Sequence, residues 1–552
     1  MTAAESPGAL VRLTWAQPED LLGHELRQAR EDGRDAGPVL REWLAAGGRP
    51  APARAGAAAE PAPPELRALA LRLLTELDAL PPPSGADEPS TWPAVRATWP
   101  PPPPPDPGPA PPGAAPPPSH GAAPPPPPGA VLPSSPGAGV PTPAGTVRPA
   151  PDRNPDPPPP PPGAVPPDPS PDRAAGPPVA DRNPRAVRAH GPDGAPRAAD
   201  AALRERLEAA WVGRAAGCVL GKPVEKLPLD GIRALARATG NWPLSDWFTA
   251  RGVPAELLAA HPWNRRSAGT SLAENIDGAP EDDDLNHPLL GLLLLQRHGK
   301  GFTTADLGRL WLDELPAGRT FTAERIAYRN LLQGLEPPLT ARHHNPFREW
   351  IGALIRADVH GWTNPGEPAA AAAQAHRDAA LTHTANGIYA ALFVAAALAE
   401  AAGGRADVHG ALRAGLAVVP PRSRLAEAVR FGIRTACDEA DFDRVVDRLH
   451  ACYGHYHWVH ALPNTALLAA ALTHADGDFT HSVCRAVSGG WDTDSNGATA
   501  GSLAGLLAGS PGRIPDRWTA PLKNRLSTGV AGFDGIGFDT LAHLTAQEAA
   551  RS

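Results

Sequence analysis

Between Pro81 and Pro196 this chain places more than half of its 72 prolines, and that decides where a fold can form. Proline has no backbone N–H and fixes φ, so a proline-saturated chain can neither pair strands nor sustain helices; it samples extended polyproline II conformers. The stretch also repeats itself, with PPPPPGAV present twice and DRNP starting at Asp152 and again at Asp181. No apolar periodicity runs through it. Three parts are therefore expected: a small helical module of unknown role over 1–80, a disordered proline-rich linker over 81–197, and one large domain over 198–552. The linker is expected to be dispensable for chemistry, and a chain starting near Ala198 is expected to fold alone. Polyproline character also suits the aromatic grooves of polyproline-recognising modules, although a plain spacer is the simpler reading.

The large domain reads as all-α. Leu203 to Leu220, Leu285 to His298, Ile388 to Ala402, Ala411 to Val419, Ala461 to Leu472 and Thr499 to Leu507 are rich in Ala and Leu and poor in β-branched runs, which favours helix over strand. Glycine recurs every fourth residue at Gly213, Gly217 and Gly221, and again at Gly497, Gly501, Gly505 and Gly509. At helical spacing each set lines one face, where a missing Cβ lets a second helix approach closely. In the N-terminal module, Pro18 and Gly33 are start and stop signals for a first helix. About eighty residues is at the lower edge for an independent core, so docking on the large domain or on a partner is expected.

Composition excludes some classes. A net charge of -8 with only four lysines argues against nucleic acid, because phosphate binding needs clustered Lys and Arg. The longest apolar stretch, Ile388 to Ala399, is too short to span a bilayer, so no membrane role is expected. Cys218, Cys437, Cys452 and Cys484 lack zinc spacing and read as reduced, buried small hydrophobes in a cytoplasmic protein. His343, His344, His455, His457 and His460 show no clean ligand spacing either, so metal coordination by them is not expected.

Chemistry is concentrated in two acidic segments. In GGWDTDSNGATAG, from 489 to 501, Asp492 and Asp494 alternate with Thr493 and Ser495 in a glycine-flanked turn that runs into a small-residue helix. Some two hundred residues upstream, Glu281, Asp282, Asp283 and Asp284 are consecutive, with no Lys or Arg beside them. Four adjacent carboxylates repel one another unless solvated or sharing a cation. Each segment alone also fits a helix N-terminus, which favours Asp and Ser caps and first-turn acids; together they suggest a site for a hard divalent metal.

With the order of these elements in hand, residues from about Ala209 to Thr545 resemble the ADP-ribosylglycohydrolase family. The resemblance rests on GRAAGCVLGKPVE ending at Glu225, on the Glu281–Asp284 run in place of the family's Thr-Asp-Asp-Thr, and on Gly489 to Ser495 in place of its GGxDTD(T/S) turn. It implies an orthogonal all-α bundle with two Mg²⁺ or Mn²⁺ ions held by Glu281, Asp282, Asp283, Asp492, Asp494 and Ser495. Asp283 and Glu225 would be catalytic, Glu225 as a ligand near the entrance. Gly352, Arg356, Thr382 and His383 match the family's nucleotide and ribose elements, and an arginine fork suits a diphosphate. The implied reaction is hydrolysis of a ribose glycosidic bond in an ADP-ribosylated protein or small ADP-ribose conjugate. Glu281 and Asp284 replace threonines and add negative charge around the ions, which bears on how an anionic substrate is received. Two alternatives stand beside this reading: a non-catalytic relative that binds metal and ADP-ribose without turnover, and a Mg²⁺-dependent terpene synthase, although the latter's second motif lacks its glutamate here.

Overall fold

Gly217 sits so close to its neighbour that a Cβ built on it would lie 1.8 Å from the carbonyl oxygen of Gly497. One turn away, a Cβ on Gly213 would lie 2.2 Å from the carbonyl oxygen of Gly501. The two glycine stripes therefore face each other, on helices Ala198–Gly221 and Thr493–Ala508, which run antiparallel in backbone-to-backbone contact. A hydrogen bond from Thr493 Oγ1 to the carbonyl of Gly221, 2.8 Å, ties the end of one helix to the start of the other. Gly217→Ala must push the helices apart against backbone, which cannot rotate away as a side chain can. A loss of about 3 kcal/mol or more is expected, the upper end of overpacking costs, and urea unfolding of the variant measures it.

The computed structural model describes residues 17–52, 61–100 and 198–551; of the linker expected over 81–197, residues 101–197 lie outside them. Twenty-three α-helices and no β-strand occur among the described residues. The expected helical segments are present as Ala198–Gly221, Asp283–His298, Ala385–Ala402, Val408–Ala417, Ala461–Ala475 and Thr493–Ala508. Helix Ala385–Ala402 is longer than its apolar core suggests and, by length and composition, sufficient to cross a bilayer; 89% of it is buried inside the protein. Its apolarity fills a core, as expected for a helix hydrophobic all round.

In the N-terminal module, Pro18 opens helix Pro18–Glu31 and Gly33 follows it at φ +80°. Helices Gly37–Ala45 and Pro64–Asp78 complete a small core around Leu21, Leu22, Trp43, Leu73 and Leu77. One expectation needs correction here. Packing continues past residue 80, through a 3₁₀ turn at Pro83–Ala86 and helix Trp92–Ala97, whose Val95 is fully buried. Proline tolerates the first turn of a helix, so prolines in this region did not prevent one. The module docks on the large domain, with which it shares buried ion pairs. Glu25 meets both Arg34 (2.7 Å) and Arg348 (2.8 Å), Asp32 meets Arg348 (3.1 Å), and Gln28 donates to Glu349 (3.0 Å). Arg424 then bridges Glu88 (2.8 Å) and Glu349 (2.9 Å). Burial works to raise the Glu25 carboxyl, and the Arg348 and Arg34 guanidinia outweigh it, leaving the group below its ordinary range.

His24 gives this contact a pH dependence. Its ring is buried against Phe347, Trp350 and His457, and neither nitrogen has a hydrogen-bond partner. Burial, with help from Arg27, lowers its pKa to about 3. The unfolded chain takes up a proton near pH 6.5, which the native ring refuses. Stability from this group is therefore complete above pH 6.5 and falls on acidification until about pH 3, by about 1.4 kcal/mol per pH unit. His24→Phe is expected to flatten the melting temperature against pH over that window.

Candidate metal centre

Both acidic segments sit at helix N-termini, but they use their carboxylates differently. Asp282 is the N-cap of helix Asp283–His298 and accepts from the backbone N–H of Asp284 at 3.0 Å. Asp492 precedes helix Thr493–Ala508 and makes no such cap; its carboxylate is left for something else. Gly490 and Trp491 both adopt positive φ, +79° and +55°, in the turn that aims Asp492 and Asp494. That turn is held from two sides. The Trp491 indole stacks flat on His450, centroids 3.8 Å apart, and Asn464 Oδ1 accepts from Asp492 N (3.0 Å) and Asn496 Nδ2 (2.7 Å).

The segments meet where Ser495 Oγ donates to Asp284 Oδ2 at 3.1 Å, across 211 positions of sequence. Two clusters of donor atoms result, each spanning no more than 4.8 Å: Glu225 with Asp492 and Asp494, and Cys218 with Asp282 and Asp284. Burial raises the carboxyl pKa of Asp492, Asp283 and Asp284 well above the ordinary range, and neighbouring carboxylates add to it. Asp494 is raised to about 7 by burial, Glu225 and Asp282. Negative charge here is in excess of what the protein itself neutralises, and apart from the Cys218 thiol the donors are carboxylate oxygens. That set fits a hard divalent cation.

Some of the charge is met from beneath. Lys222 Nζ contacts Asp282, and Arg214 reaches the Asp284 carbonyl (2.8 Å), its carboxylate (3.5 Å) and Asp358 (2.9 Å). Burial raises the Asp282 carboxyl but Lys222 overcomes it, so this group stays below its ordinary range. At the other edge, Glu225 is oriented by Asn264 (2.7 Å) and Lys226 (2.5 Å), with the Lys226 ammonium 5.7 Å from the Trp458 ring. Asp283, partly open to solvent, accepts no hydrogen bond from the described residues.

Several expectations do not survive. Glu281 is outside both clusters: it turns to Arg319 (2.6 Å) and Asn286 (3.3 Å), so it is not placed as a ligand. Asp284, the other acid in place of a threonine, does lie in the cluster with Cys218 and Asp282, where Arg214 and Ser495 hold it. Cys437 and Cys452 are exposed, not buried; Cys218 and Cys484 are buried. Cys218, read as an inert hydrophobe, lies beside Asp282.

The pattern of the ADP-ribosylglycohydrolase family matches residues 199–549. The chain belongs to this family. A solved structure described as an ADP-ribosylglycohydrolase-related protein complex is similar at 21% identity over 63% of this chain and 98% of its own length, with a TM-score of 0.39. Among curated proteins, none matches.

Within this glycohydrolase, the expected nucleotide residues form no open subsite. Arg356 is 2% exposed and is spent on Asp378, Glu324 (3.0 Å), the Gly352 carbonyl (2.9 Å) and Thr382 Oγ1 (2.6 Å). A Cβ on Gly352 would fall 2.0 Å from Glu324 Oε1, so this glycine makes room for the acid. His383 is buried, with Nδ1 2.6 Å from Thr382 Oγ1. Gly352, Arg356 and His383 thus build a buried ion-pair network rather than a diphosphate fork. Sequence reading missed Lys222, Arg214, Asn464 and His450; of these Arg214 and Lys222 both sit within GRAAGCVLGKPVE, a motif already singled out, whereas Asn464 and His450 do not.

Proposed function

We propose that this glycohydrolase hydrolyses the ribosidic bond of an ADP-ribosylated protein or small ADP-ribose conjugate, with Mg²⁺ or Mn²⁺ held among its converged acids. The observation that carries the reading is the meeting of Glu225, Asp492 and Asp494 beside Asp282–Asp284, in a chain of this family. Glu225, Asp283, Asp492 and Asp494 would hold two ions, Asp282 would contribute from the Lys222 side, and Ser495 would position Asp284. When bound, the ions supply Lewis acidity and a fixed positive frame for the sugar hydroxyls.

The protein's own groups divide the remaining work. A ribosidic bond breaks through an oxocarbenium-like transition state and needs a proton taken from the attacking water. Asp283 is suited to that role, being a carboxylate that accepts no hydrogen bond from the described residues and whose proton affinity is raised by burial and by Asp282, Asp494 and Glu225, as favours a general base. Glu225, steered by Asn264 and Lys226 at the outer edge, is suited to orient the water and the ribose. Four unpaired cysteines fit a reducing compartment such as the cytoplasm. The test is a screen of the Mg²⁺- and Mn²⁺-loaded full chain against ADP-ribosyl-arginine, ADP-ribosyl-serine and O-acetyl-ADP-ribose. Release of ADP-ribose from at least one is expected. Binding of ADP-ribose with no turnover of any of them would instead establish the non-catalytic reading.

A further inference from the structure

A third group of metal-ligating atoms, sharing no residue with the acidic clusters, lies where the N-terminal module meets the large domain. Asp78 is the last residue of helix Pro64–Asp78; His343 and His344 follow helix Leu339–Arg342. One carboxylate oxygen and one ring nitrogen from each histidine fall within 4.8 Å of one another. The backbone N–H of His344 donates to Asp78 Oδ2 at 3.0 Å, across 266 positions of sequence. Thr75 Oγ1 lies 3.1 Å from His344 Nε2 and orients that ring from the module side. The two imidazoles stack with centroids 3.9 Å apart.

Asp78 and His343 also line a cavity of about 500 Å³ between the two parts, with Asp32, Arg342, Arg348 and Glu349 on its other walls. Three protein donors with an open side is the pattern of a metal site that keeps one position for a small ligand. We propose that Asp78, His343 and His344 bind a transition-metal ion of the Zn²⁺ or Co²⁺ class, which staples the N-terminal module to the large domain and leaves a position facing the cavity. Mixed imidazole and carboxylate donors select such ions over Mg²⁺, which prefers oxygen. Consecutive histidines gave no ligand spacing in the sequence because the third donor comes from a different part of the chain.

Charge around the site works in both directions. Arg329 donates to the His343 carbonyl at 3.0 Å, and Arg342 stands at the cavity wall; both oppose a cation. The Asp78 carboxylate favours one. Burial and Arg329 hold the His343 ring below its ordinary pKa, and burial, His343 and Arg329 take His344 to about 4.

The test uses the untagged full chain carrying Asp492→Asn and Asp494→Asn, so that the acidic centre is disabled. Titration with Co²⁺ is expected to give one equivalent with visible ligand-field absorption, displaced by Zn²⁺ and unaffected by excess Mg²⁺, and Zn²⁺ is expected to raise the melting temperature. His343→Ala with His344→Ala should abolish the absorption. Asp78→Asn, which keeps size and hydrogen-bond acceptance, should weaken Co²⁺ binding about tenfold or more, as loss of a ligand or its support does. Absence of the absorption in the parent, or Co²⁺ affinity in Asp78→Asn within about twofold of it, overturns the site whether or not the histidine pair folds.

Discussion

A chain that begins at Ala198 is expected to fail to fold as a soluble monomer, although it would contain every residue that matches the family. Deleting the module uncovers Phe347 and Trp350, against which His24 packs. It also strips Arg348 of Glu25 and Asp32, Arg424 of Glu88, and Glu349 of Gln28. Breaking one buried pair by removing a partner costs about 3–5 kcal/mol. Two or three such losses match the whole stability of a typical domain, about 5–15 kcal/mol. Tyr389 and Ala385, which bond to Pro89 and Ser90, would lose partners as well. Circular dichroism, gel filtration and a thermal melt of the truncated and full chains measure this directly. A cooperative melt of the truncated chain close to that of the full chain would show that the module is an ornament.

The second large effect is expected from Asp492→Asn with Asp494→Asn. Mg²⁺ and Mn²⁺ binding in calorimetry should disappear together with any hydrolysis, while helical content is kept. The metal-free variant should also be more stable than the metal-free parent, and the sign follows from the raised pKa values. An acid whose native pKa lies above its unfolded value of about 3.8 destabilises the fold once pH exceeds that value. The deficit grows until the native pKa is reached, about 7 for Asp494. At pH 8 the variant is therefore expected to gain on the order of a few kcal/mol, and the gain should shrink as pH falls toward 4. An ordinary structural role for this turn gives the opposite result, a variant that melts lower. Unchanged metal affinity would remove Asp492 and Asp494 from the centre.

Features set by local constraints were legible in the sequence. The glycine stripes mark close packing because only a missing Cβ permits it, and the stripes proved to face each other. The GGWDTDS turn announced itself because positive φ and clustered acids leave few residue choices. What the sequence concealed were partners brought from elsewhere. Nothing near Asp282 or Asp284 signals that Lys222 and Arg214 lie beneath them. Arg356 carries no local mark that tells a ligand-facing fork from one buried on Glu324 and Asp378, so the family parallel misplaced it. The extent of the N-terminal module was misread because prolines at 81–83 resemble those of the following stretch, whereas Glu88 and Val95 are what bind this segment to the large domain.

The glycine seam also limits how the acidic centre can vary. Because carbonyl oxygens occupy the places where side chains would be, the paired helices have no smooth path along which to slide. A shift of one residue moves a helix by about 1.5 Å but turns it by about 100°, bringing Cβ atoms against backbone. The next register that restores glycine against glycine lies four residues away, about 6 Å along the axis. Glu225 follows the end of one helix and Asp494 opens the other, so the span between them is quantised rather than adjustable. Relatives sharing the seam would then be free to change specificity through the residues and loops around the acids, with the span itself held constant.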